Sequence, residues 1–165
     1  MTQRTLLTII LASGMLITFG ASAILAQTAS QNQIGLNPLK IGIVSHRDSF
    51  DGPGCSLQLP ADNRKHNERY TLLSDSEDNA VMNINGKDLN LKLVSHNEPH
   101  GVLKKGDRST WTYSRQGIKV RVDFVVTGLC PPGDEACEVT YYDATITVTR
   151  GNNKQLVIVK GVCGS

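Results

Sequence analysis

The feature that most restricts this chain is a hydrophobic period of two. From Ile118 to Thr127, Ile118, Val120, Val122, Phe124 and Val126 share one parity, and Lys119, Arg121, Asp123 and Thr127 share the other. Successive side chains point to opposite sides of an extended backbone, so this spacing builds a strand with one dry face and one wet face. The same period recurs at Leu89, Leu91 and Leu93, and at Ala80, Met82 and Ile84. Helical spacing is nearly absent.

Between those last two runs stands Asn85-Gly86. Both residue types tolerate positive φ, which the tight type I′ hairpin turn requires. The spacing therefore predicts a hairpin over 80–95. Gln116-Gly117 turns a strand over 108–115 into the Ile118 strand, and Gly151-Asn152-Asn153 joins strands over 139–150 and 155–162. Weaker strands are predicted over 39–45, 55–59 and 70–74. The expectation is an all-β domain of about nine short strands, an antiparallel sandwich or a small barrel. Asp62 to Arg69 is the most helix-like stretch, and its charge marks it as a surface excursion.

The chain begins differently. Arg4 precedes an apolar stretch from Leu6 to Phe19, followed by Ala21, Ala23 and Ala26. A positive start, an apolar centre and small residues at a cut point make a secretory signal peptide, assigned to residues 1–26. The run is also about as long as a bilayer span, which takes roughly 20 residues. The small-residue end favours cleavage, which leaves no membrane insertion. Residues 27–37 are polar and aperiodic and read as a flexible lead-in. Residues 38–165 make one β domain. Export places the protein in the periplasm or outside the cell.

An oxidising compartment makes disulfides the expected state of Cys55, Cys130, Cys137 and Cys163. Of the three possible pairings, Cys130–Cys137 and Cys55–Cys163 are favoured, because the first closes a short loop between two apparent hairpin strands. That hairpin contains a conflict of register. If Cys130 faces Cys137, then Gly128 faces Val139, Val126 faces Tyr141 and apolar Phe124 faces Asp143. Beyond Asp143 the apolar residues shift to Ala144, Ile146 and Val148. One extra residue near Tyr142-Asp143 restores the match, pairing Phe124 with Ala144, Val122 with Ile146 and Val120 with Val148.

Function is less legible. A formal net charge of +2, from 17 basic and 15 acidic side chains, gives no support to a nucleic-acid binder. Motifs for a nucleophile elbow, a zinc hydrolase, a phosphate loop or a redox dithiol are missing, so no enzyme and no cofactor are implied. Asp75-Ser76-Glu77-Asp78-Asn79 alternates oxygen donors as calcium loops do. The positions that need Gly and Glu in an EF-hand hold Ala80 and Gly86, so a solvated acidic turn is expected.

Two binding readings remain. Thr145 and Thr147 on one strand and Lys119 and Arg121 on its neighbour make a flat, polar, weakly basic face. Such a face suits a protein or a cell-envelope polymer as partner. Alternatively, His96, Glu98 and His100 offer imidazole and carboxylate ligands for copper or zinc. Trp111 and Tyr113 share a strand face and are expected to be core.

Overall fold

A computed structural model describes residues 38–46, 50, 52–63, 68–134 and 137–164. The signal-peptide and lead-in assignments fall outside the described residues, as does His66. Eight strands run in sequence order: β1 (Gly54–Gln58), β2 (Tyr70–Asp75), β3 (Asn79–Ile84), β4 (Lys87–Asn97), β5 (Arg108–Arg115), β6 (Ile118–Gly128), β7 (Val139–Arg150) and β8 (Asn153–Gly164). Each pairs antiparallel with its neighbour, and β1 pairs with β8, so the sheet closes into a barrel. The sandwich alternative is thereby excluded. A short helix, α1 (Pro60–Asn63), follows β1.

Closure solves a physical problem. An open sheet leaves rows of unpaired backbone donors and acceptors at its two edges, whereas a barrel joins the edges. Eight strands also leave an interior just wide enough for side chains. Here they fill it. Leu57, Leu72, Met82, Leu91, Tyr113, Val120, Val122, Ile146, Val148 and Val159 are completely buried in one contiguous core.

Local chemistry sets the hairpins. Asn85 and Gly86 have φ of 55° and 78°, and Ile84 pairs with Lys87 across the turn. Gln116 and Gly117 repeat the arrangement, at 47° and 76°. The β7–β8 turn is Gly151-Asn152 alone, since Asn153 already pairs with Arg150.

The β6–β7 ladder pairs Phe124 with Ala144, Val122 with Ile146 and Val120 with Val148, as the alternation requires. The extra residue that permits this lies on the other strand from the one expected. Val126 faces Tyr142 and Gly128 faces Tyr141, so Thr127 is the bulged residue. Gly128 accounts for the shift: it has no side chain to crowd the Tyr141 ring, which would lie 3.3 Å from a Cβ there.

The segment over 39–45 is not a strand. It makes one isolated bridge, Ile41 to Ile84. The β2–β3 ladder spans only Leu72–Ser74 against Ala80–Met82, and this segment bonds to the strand ends beyond it. Gly42 N–H donates to the Asn83 carbonyl at 2.9 Å, Val44 N–H to the Tyr70 carbonyl at 2.8 Å, and Asn85 N–H to the Lys40 carbonyl at 2.8 Å. Val44 then packs with Phe50 and Tyr70 over Leu73 and Val81, forming a second small core. Those two residues have the opposite parity to Leu72 and Met82, which explains why β2 and β3 are buried on both faces.

Both expected disulfides are present, Cys55–Cys163 and Cys130–Cys137. They suit an oxidising environment such as the periplasm or the cell exterior.

Candidate functional site

The outer face of β6, β7 and β8 brings the predicted binding residues together. Register places Lys119 beside Thr149, Arg121 beside Thr147, and Asp123 beside Thr145. Arg121 is less available than its sequence suggests. Its Nε lies 2.9 Å from both Asp123 carboxylate oxygens, and Nη2 lies 2.7 Å from Oδ1. Thr110 Oγ1 donates to the same oxygen at 2.7 Å. The Arg121 guanidinium holds the Asp123 carboxyl below the usual carboxylate range, overcoming partial burial, with the Thr110 hydroxyl assisting. Lys119 is exposed and without an ion pair among the described residues.

Sequence reasoning missed the apolar part of this face. Leu156 and Ile158 on β8 point outward, 51% and 61% exposed, in register with Thr147 and Thr145. The run Leu156-Val157-Ile158-Val159 is apolar at both parities, so periodicity could not assign sides. Large aliphatic side chains left this exposed, two apart on one strand, need a partner more than single scattered ones do. Lys160 borders them, paired with Asp143 at 2.6 Å.

The second candidate surface is the barrel end that carries the β4–β5 and β6–β7 loops. A chain of edge-to-face rings crosses β5, β6 and β7 there. Trp111 and Phe124 have centroids 5.2 Å apart, and Phe124 and Tyr142 5.3 Å. Trp111 Nε1–H donates to Glu98 Oε1 at 2.9 Å, so the β4–β5 loop is latched onto this aromatic row. Burial raises the Tyr142 phenol pKa, and the Glu98 charge adds to the rise. Glu98 borders three clefts. The largest of the three, about 660 Å³, lies between Val102, Leu103, Leu129, Cys130 and Cys137. The others measure about 140 and 150 Å³.

Tyr113 lies deeper, 1% exposed, and is core as expected. Burial pushes its phenol pKa well above the ordinary value, and the charges of Asp78 and Asp75 push the same way against a Ser74 hydrogen bond.

The proposed metal ligands are held apart in role. His96 sits within β4 opposite Trp111, Glu98 is engaged by Trp111, and His100 lies on the exposed loop. Among the described residues, no three His, Cys, Asp or Glu side chains gather as a metal-holding group. The acidic turn at 75–79 is organised internally. Asp75 Oδ1 accepts from the Glu77 and Asn79 N–H groups at 2.8 and 2.9 Å, and Oδ2 accepts from Asn79 Nδ2 at 2.8 Å. Burial opposes ionisation of Asp75, but these bonds together hold its pKa below the ordinary value.

No protein-family model, curated protein or solved structure matches this chain.

Proposed function

We propose that the protein is an exported, non-enzymatic binding domain whose outer β6–β8 face docks another protein. The carrying observation is the pair Leu156 and Ile158, exposed beside Thr147 and Thr145 on the outer sheet face. A face with an aliphatic centre and a polar rim has the anatomy of a protein interface. The barrel interior is filled by side chains, which directs attention to the outside. The shifted carboxylates Asp75 and Asp123 spend their charge on neighbouring turn and strand groups, in keeping with binding rather than acid–base chemistry. Lys119 at the rim fits a partner with carboxylates around an apolar patch. Export rests on the Arg4-led apolar start, the small residues at 21–26 and the two disulfides.

The test is site-specific photo-crosslinking in the exporting cell, with the probe at Thr145, which faces outward between Asp123 and Ile158, or, as control, at Lys104 on the far end. An adduct specific to Thr145 is expected. Leu156→Ser/Ile158→Ser should then weaken binding of that purified partner by about tenfold or more, with the thermal midpoint retained. Lys119→Ser should slow association. No position-specific adduct, or unchanged affinity in the double variant, overturns the reading.

A further inference from the structure

Alternate turns of an antiparallel meander lie at the same end of the barrel. The β3–β4, β5–β6 and β7–β8 turns therefore share one end, although they are far apart in sequence. That end gathers Lys40, Lys87, Arg115, Lys119, Arg150 and Lys154, all of them exposed. Register arranges four of these in two rows. Arg115 and Arg150 flank Ile118, and Lys119 and Lys154 flank Thr149. Members of each row are two strands apart, roughly 10 Å.

These cations have no carboxylate partner among the described residues. Arg115 donates to the Asn90 carbonyl at 2.8 Å, which fixes its position without neutralising it. Among the described acids at this end, Glu68 lies exposed in the β1–β2 connection, and Asp88 and Asp62 are engaged by neighbours. Asp88 accepts from Asn83, Ser45 and His46, and Asp62 pairs with Arg69. The opposite end carries Asp75, Glu77, Asp78, Glu98, Asp107 and Glu138 against Lys104, Lys105 and Arg108. Among the described residues, the barrel thus carries its charge sorted end to end.

We propose that the basic end binds a flexible anionic polymer bearing regularly spaced phosphate groups. Arginine forks and lysine point charges in open rows match phosphate oxygens. The turn tips, Asn85-Gly86, Gln116-Gly117 and Gly151-Asn152, carry no large apolar side chain to enter a bilayer. They also leave the rows open to an extended chain lying across several tips. Lys119 and Lys154 border the Leu156–Ile158 face, so the two surfaces adjoin, but this site does not require Leu156 or Ile158.

The test is titration of the full exported chain with inorganic polyphosphate at several salt concentrations. Polyglutamate and phosphatidylglycerol vesicles form the comparison arms. Polyphosphate should bind, and log K should fall linearly with log salt. Lys87→Ser/Arg150→Ser/Lys154→Ser should weaken binding by about tenfold or more and flatten the slope by about 2, at about 0.7 per lost phosphate contact. Leu156→Ser/Ile158→Ser should bind polyphosphate as wild type does, so the two surfaces are told apart. The triple variant keeps the hairpin-turn residues, and an unchanged thermal midpoint checks its fold. Wild-type affinity in the triple variant, equal affinity for polyglutamate, or preference for vesicles overturns the proposal.

Discussion

Cys55 on the first strand faces Cys163 on the last, with Cα atoms 4.0 Å apart, so one disulfide closes the seam of the barrel. The seam is the pairing most distant in sequence, 108 residues apart. It has the largest loop-closure entropy to overcome. Cys130–Cys137 spans only 7 residues and ties the β6–β7 connection to itself. The chain-entropy model assigns roughly 4–5 kcal/mol to the long closure and roughly 2–3 to the short one.

Replacing Cys55 and Cys163 with Ala should therefore cost more stability than replacing Cys130 and Cys137. Urea midpoints of the two double variants measure this. Amide exchange should rise first along β1 and the C-terminal half of β8. An equal loss in both variants would mean that the seam is held by its ladder and core rather than by its crosslink.

The segment over 38–46 should be acid-labile. Asp88 Oδ2 accepts from the Ser45 and His46 N–H groups at 2.8 and 3.0 Å, and Oδ1 accepts from Asn83 Nδ2 at 2.6 Å. Burial alone would raise the Asp88 pKa, yet these bonds outweigh it and lower the pKa below the ordinary carboxylate value. A depressed carboxyl pKa adds stability above the unfolded value of about 3.9, and that stability is lost as pH falls through the folded value. Asp88→Asn should flatten stability against pH in that window and speed exchange of the Ser45 and His46 amides at pH 7. Some acid lability should persist, because Asp75 and Asp123 are lowered as well.

What could be read from the sequence divides by range. Asn85-Gly86 specifies its turn locally, so the 80–95 hairpin is legible. Ile118 to Val126 and Ala144 to Val148 fix their mutual register because one face of each is dry. The pattern could not say that β1 meets β8, since strand order leaves no trace in alternation. The 39–45 segment has strand-like alternation at Leu39, Ile41 and Ile43 but covers strand ends instead of pairing along a strand. On the proposed docking face, Lys119, Arg121, Thr145 and Thr147 are legible from parity, whereas Leu156 and Ile158 are hidden in a doubly apolar run. The charge sorting was hidden for the same reason as closure: it depends on which turns share an end.

Tyr113 should make the fold alkali-labile. Its folded pKa is raised, chiefly by burial, while an unfolded tyrosine titrates near 10. The native state then holds its proton where the unfolded state has released it. Its stability is fully present below about pH 10 and falls as pH rises further. Tyr113→Phe keeps the ring packing and removes this proton. It should cost about 1 kcal/mol at pH 7 for the lost Ser74 bond and lessen the decline above pH 10. Urea midpoints between pH 7 and 11 give both quantities. An unaltered alkaline decline would assign it to other groups, Tyr142 among them.

Gly161 marks where the seam is tightest. It sits on β8 opposite Leu57 of β1, and a Cβ there would fall 1.9 Å from the Ser56 carbonyl oxygen and 3.0 Å from Leu57 Cα. Both are backbone atoms, so no side-chain rotation relieves the contact. Nor can β1 move freely, since the Cys55–Cys163 crosslink holds it two residues away. Overpacking of this kind costs about 1–3 kcal/mol in ordinary cores, where neighbours can shift. Gly161→Ala should reach or exceed the upper part of that range. Gly128→Ala is the control, because the nearest atom to its Cβ would be on the Tyr141 ring at 3.3 Å, and Tyr141 is 47% exposed and free to give way. A clearly lower urea midpoint for Gly161→Ala than for Gly128→Ala is the expected result. Equal midpoints would show that the β1–β8 seam has slack, and the crosslink would then be its main tie.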